Sequence, residues 1–156
     1  MRAATAILWV QDLAAVDSGT LNRWELEITT RAGTVIEVEE SPGITIPDNN
    51  PTGIERTVNV TGSGQVQDLE VSVDITHTYI GDLTVTLLSP AGTQVLLHNR
   101  SGGSQDNLVR SFRFADTSSL QALHGQSLQG TWKLRVADLE AVDVGKLNHW
   151  GVKISR

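Results

Sequence analysis

The chain contains no cysteine. Disulfides, thiolate nucleophiles and cysteine-ligated zinc are excluded by that alone. Aromatic residues are also scarce, at 4% of the chain. Tyr79 is the single tyrosine, and Trp132 and Trp150 stand at alternating positions expected to face a core, so a sugar-stacking platform has little to be built from. Positive charge is short as well. The net charge is −6 and the lysines and arginines stand singly, so no basic stripe exists and nucleic acid is excluded as a partner. No apolar run approaches the roughly 20 residues of a membrane-spanning helix. The opening "MRAATAILWVQDL" reaches Gln11 and Asp12 too early for a signal-peptide core. Catalytic signatures are missing too: there is no HExxH, GxSxG, GxGxxG or phosphate-cradling Walker loop. The four histidines, His77, His98, His124 and His149, show no metal-ligand spacing. Ser101 and Ser104 sit in a glycine-rich loop with no acid–base pair near them in sequence, which leaves open a Ser–His pair formed in space.

What is present is the periodicity of strands. "QDLEVSVDIT" puts Leu69, Val71, Val73 and Ile75 on one face and Asp68, Glu70, Ser72 and Asp74 on the other. "DLTVTLLSP", "ERTVNVTG" and "TWKLRVADL" alternate in the same way, and Gly- and Pro-containing turns separate them at 49–53, 89–93 and 101–107. Short strands between turn residues specify an all-β sandwich or barrel. Residues 118–128, "SSLQALHGQSL", offer no more than one helical turn, because Gly125 cuts the segment short.

The chain also repeats itself. "ILWVQDLAAVDSGTLNRWELEI" at 7–28 and "KLRVADLEAVDVGKLNHWGVKI" at 133–154 share 12 of 22 positions, including Trp24 with Trp150 and Gly19 with Gly145. Each copy reads as strand, turn, strand, with Asp143 and Gly145 suited to a tight turn. The copies start 126 residues apart, a domain-sized period. The first copy therefore reads as the closing hairpin of a preceding domain.

The stretch "VSVDITHTYIGDLTVTLLSPAGTQVLL" at 71–97, with "GTWKLRVAD" at 130–138 and "GKLNHWGVKI" at 145–154, resembles the P domain (P/Homo B domain) of kexin- and furin-like proprotein convertases and of many secreted bacterial proteases. The resemblance covers about residues 41–155, with the motifs in the right order. It departs from many bacterial members at 115–130, where this chain has no proline. It implies a jelly-roll β-sandwich of the galactose-binding-like kind. It further implies a non-catalytic companion of a subtilisin-like serine or metalloprotease domain in an extracellular parent, with calcium as a cofactor. The other reading is a stand-alone or tandem binding module for protein or carbohydrate. The expected organisation is a hairpin remnant at 1–29, a linker at 30–43 and a complete P domain at 44–156. The apolar face of the remnant, Leu8, Val10, Trp24, Leu26 and Ile28, is expected to be covered by its own chain or, through self-association, by a neighbour's.

Two readings compete for each loop aspartate. It caps a turn through its own backbone, or it is one of several oxygen ligands for calcium. Asp82, Asp106, Asp116, Asp138 and Asp143 all fall at expected strand ends or loops, and Asp116 and Asp138 lead as ligands because each closes an alternating run. His77, Tyr79, Gly81, Asp82, Trp132, Gly145 and Trp150 are the expected structural motif, with Gly81 at a turn or bulge of special backbone geometry and His77 a hydrogen-bonding imidazole.

Overall fold

Alternation becomes strand throughout the second part of the chain. The computed structural model describes residues 8–11, 13, 19–21, 23 and 33–156. Two units separate, Met1–Arg31 and Ala32–Arg156. The second carries nine strands: β1 (Val35–Glu40), β2 (Ile44–Ile46), β3 (Asn50–Val60), β4 (Asp68–His77), β5 (Leu83–Leu88), β6 (Gln94–Asn99), β7 (Leu108–Arg113), β8 (Gly130–Asp138) and β9 (Gly145–Ser155). One sheet has the order β1-β9-β4-β7, with β2 also on β9; the other is β3-β8-β5-β6. Every strand pair is antiparallel. The unit is the expected jelly-roll sandwich. Its core lies between the inner faces: Leu69, Val71, Val73 and Ile75 of β4, Leu83, Val85 and Leu87 of β5, Trp132, Leu134 and Val136 of β8, and Leu147, Trp150, Val152 and Ile154 of β9. Residues Ser118–Leu123 form a short 3₁₀ segment that buries Leu120 and Leu123.

Two expectations change. The segment 30–43 is not a plain linker, because it contains β1, which pairs with β9 from Val35↔Ser155 to Glu40↔Trp150. Ile36 and Val38 pack against the core while Glu37 and Glu39 face out. The second copy of the repeat, in turn, is not a hairpin. β8 pairs with β3 and β5 in one sheet, and β9 with β1, β2 and β4 in the other. The turn between them crosses from sheet to sheet, so the repeated unit is an arch that contributes a central strand to each layer. The first copy, read as a hairpin remnant, lies mostly outside the described residues. Trp24, Leu26 and Ile28 of its expected apolar face lie outside the described residues, while Leu8 and Val10 are 46% and 66% exposed.

The alternation in β9 slips by one between Leu147 and Trp150. A bulge between Asp74 and Ile75 of the β4 register accounts for it. The extra residue, Asn148, points its amide at Asp74 Oδ1 (3.0 Å) and Thr76 Oγ1 (2.8 Å).

Candidate functional site

The end of β4, the start of β5, the end of β8 and the start of β9 meet at one end of the sandwich, and they bring together His77, Asp82, Asp138, Asp143 and Gly145. His77 and Asp138 are both buried, with Nε2 3.2 Å from Asp138 Oδ2. The other ring nitrogen, Nδ1, accepts the Tyr79 backbone N–H at 3.1 Å. That contact places the ring proton on Nε2, which donates to the carboxylate. Asp138 Oδ1 accepts the Glu140 N–H at 3.2 Å. Asn107 ties the next loop in: its side-chain oxygen accepts the His77 N–H, and its own N–H donates to the His77 carbonyl. His77 is thus an imidazole hydrogen-bonded at both ring nitrogens.

Gly145 serves this pair in a way the sequence did not suggest. It is not at positive φ. A Cβ there would lie 2.2 Å from His77 Cδ2 and 2.8 Å from the Thr76 carbonyl oxygen, so glycine is required by the histidine ring packed on it. Gly81 likewise has no positive φ. It sits in the 3₁₀ turn Ile80–Asp82, where a Cβ would meet the Tyr79 ring at 2.8 Å and Gly103 Cα at 2.9 Å. Trp132 and Trp150 are fully buried; their indole N–H groups donate to the Leu128 carbonyl (2.9 Å) and to Glu40 Oε2 (3.2 Å).

The five aspartates divide. Asp116, a leading ligand candidate, is committed to its turn: Oδ1 accepts the Arg113 N–H at 3.1 Å and the Thr117 hydroxyl at 2.8 Å. Those bonds hold its carboxyl below the usual aspartate range. Asp106 is exposed in the loop before β7. Asp143 accepts the Thr78 hydroxyl at 2.6 Å. Asp82 is buried, and among the described residues none donates a hydrogen bond to its carboxylate. Burial pushes its pKa up, and the charges of Asp138, Asp143 and Glu140 push it further in the same direction. Among the described residues, no three His, Cys, Asp or Glu side chains stand close enough together to hold a metal ion as arranged. The carboxylates that act on Asp82 are those of Asp138, Asp143 and Glu140, the class of oxygen ligand a hard cation takes, with the His77 imidazole beside them.

A Ser–His pair does form in space. Ser101 Oγ is 3.3 Å from His98 Nδ1, and His98 Nε2 donates to the Ile80 carbonyl at 2.9 Å. His98 is buried, and its far nitrogen meets a backbone carbonyl where a triad would place a carboxylate. The pair fastens the glycine-rich loop to the turn at Ile80–Asp82.

The sequence profile of the proprotein convertase P-domain matches residues 66–154. The chain belongs to the P-domain family. The P domain is 37% identical over 130 residues to leupeptin-inactivating enzyme 1 of Streptomyces exfoliatus, covering 80% of this chain and 28% of that protein. It is 37% identical over 112 residues to a calcium-dependent protease of Trichormus variabilis, covering 70% of this chain and 17% of that one. In fold it is similar to the serine protease of Aeromonas sobria, solved in complex with its chaperone: the TM-score is 0.61 at 19% identity, over 81% of this chain and 28% of that one. The chain thus spans less than a third of each of these proteins. No helix among the described residues is long and apolar enough to cross a membrane.

Proposed function

We propose that residues 33–156 are a non-catalytic accessory P domain that packs on a protease catalytic domain in an extracellular parent and stabilises it. The observation that carries this reading is the P-domain match at residues 66–154 together with the 37% identity to a calcium-dependent protease. The side-chain geometry supports it. His77, Asp138, Asp143, His98 and Ser101 are each paired within the fold, as structural groups are. Deleting residues 33–156 from the parent should lower the melting temperature of the catalytic domain by several degrees. The P domain alone should not be labelled by a fluorophosphonate probe. Labelling that disappears in Ser101→Ala would make the Ser101–His98 pair a nucleophile and overturn the non-catalytic reading.

Calcium belongs to the same proposal, and its place moves from Asp116 to Asp82. Asp116 would have to uncap its turn to bind a cation, whereas Asp82 already lacks a donor. Asp82 would hold the ion together with Asp138, Glu140 and Asp143 once these three turn from their present partners His77, Arg100 and Thr78, and a bound cation would offset the like charges that raise the Asp82 pKa. Melting temperature is therefore expected to be higher in millimolar Ca²⁺ than in EDTA. The difference should vanish in Asp82→Asn and persist in Asp116→Asn. Equal curves for the unaltered chain would remove calcium from the reading. Without calcium, Asp82→Asn has a second consequence. A raised folded-state pKa means that the proton on Asp82 stabilises the fold, and this contribution is lost as pH rises through the folded pKa. Asp82→Asn should then be more stable than the parent at neutral pH, with the gain fading as pH falls into the aspartate range.

A further inference from the structure

The repeat at 7–28 copies an element whose burial is known. Its identities Leu8, Val10, Asp12, Leu21, Trp24 and Ile28 match Leu134, Val136, Asp138, Leu147, Trp150 and Ile154, all of them fully buried in the sandwich. Gly19 matches Gly145, which only glycine can fill beneath His77. The first copy therefore holds the core set for a central strand in each of two sheets, plus the Asp–Gly pair that receives a buried histidine.

Three of its ten differences fall where β9 and β8 meet their neighbours in this sandwich. Gly151 faces Glu39 across the β1 pairing, and a Cβ there would lie 2.9 Å from Glu39 Cβ and 3.0 Å from the Val38 carbonyl oxygen. The first copy has Glu25 at that position. Lys153 lies between Glu37 of β1 and Glu70 of β4 in register, with Nζ 3.7 Å from Glu37 Oε2. The first copy has Glu27 there, which would set three carboxylates in a row across adjacent strands. Ala137 lies under Gly53, where an added Cβ would be 2.8 Å from the Ala137 Cβ. The first copy has Gln11. Each of these three is a clash or a like charge against this body.

We infer that residues 7–28 are the closing arch of a second, non-identical P domain and are barred from closing the sandwich formed by residues 33–156. The body they fit carries a histidine at the His77 position, and it has basic or neutral side chains where β1 has Glu37 and Glu39. In tandem P domains, such mismatches would keep each closing arch from entering the wrong sandwich.

The absence of native cysteine makes the test direct. Ser41 Oγ touches His149 Nδ1 at 3.1 Å, and the residue matching His149 in the first copy is Arg23. In the full chain, S41C with H149C should form a disulfide readily. S41C with R23C should form little, within or between chains, at any protein concentration. Adding Gln11→Ala, Glu25→Gly and Glu27→Lys to the second pair should raise its yield at least tenfold. Circular dichroism on each variant confirms that the sandwich has folded. Efficient linkage of 23 to 41 in the chain without those three changes would overturn the inference. So would a folded triple variant with no gain.

Discussion

Trp150→Ala is expected to unfold the P domain at much lower denaturant, with a loss of about 3–5 kcal/mol. The ring is fully buried at the centre of β9, the strand that joins β1 and β2 to β4. Its N–H also donates to Glu40, whose carboxylate pairs with Arg56 of β3 in the opposite sheet. The Arg56 hydrogen bond, more than the indole, holds the Glu40 carboxyl below its ordinary range. Truncating Trp150 therefore opens a cavity and removes one donor from a carboxylate that links the two layers. Trp150→Phe separates the two effects: it keeps most of the packing and should lose about 1–2 kcal/mol. Urea unfolding followed by circular dichroism measures both. The twin substitution, Trp24→Ala, should leave the transition of residues 33–156 in place. A Trp150→Ala transition within error of the parent would mean that β9 does not anchor the core.

The layers of this domain were legible because β4, β5 and β8 alternate cleanly, with a buried hydrophobic at every second position. β1 was not, because its glutamates made a half-buried edge strand look like solvated linker; only Ile36 and Val38 mark its inner face. The arch was mistaken for a hairpin for a related reason. A short turn between two strands fixes that they are close in sequence, and it does not fix whether they pair or part to different sheets. The site shows the same limit. Loop aspartates can be picked out by position, yet which loops share an end of the sandwich is set by sheet order. Asp82, Asp138 and Asp143 thus converge while Asp106 and Asp116 stand apart with other roles. Asn107 carried no spacing signal, because its partner His77 lies 30 residues away; Ser101 and His98 stand three apart, yet nothing in the sequence shows that their side chains turn toward each other. Gly81 and Gly145 are not held by the backbone conformation expected of them. What requires glycine there is close approach by a ring or a backbone, which no single sequence displays.

The buried His77–Asp138 pair and Gly145 should behave as one unit. His77→Ala leaves the Asp138 carboxylate buried with the Glu140 N–H as its remaining donor, a loss of about 3–5 kcal/mol by analogy with other broken buried pairs. Asp138→Asn should cost less, about 1–3 kcal/mol. An amide can still accept from Glu140 N–H with its oxygen, but its NH₂ then faces the His77 Nε2–H, and turning it over only exchanges one mismatch for the other. Gly145→Ala attacks the same place from the opposite side, because its methyl would press on the His77 ring. In the unaltered chain that substitution should be severely destabilising. In a His77→Ala background the ring is gone, and much of the clash goes with it, leaving the Thr76 carbonyl as the tight contact. The two losses should therefore fall short of additive by about 1–3 kcal/mol, the range found for residues in contact. A double-mutant cycle in urea measures the difference. Strict additivity would show that Gly145 is needed for its backbone alone, and that the histidine is not what the glycine makes room for.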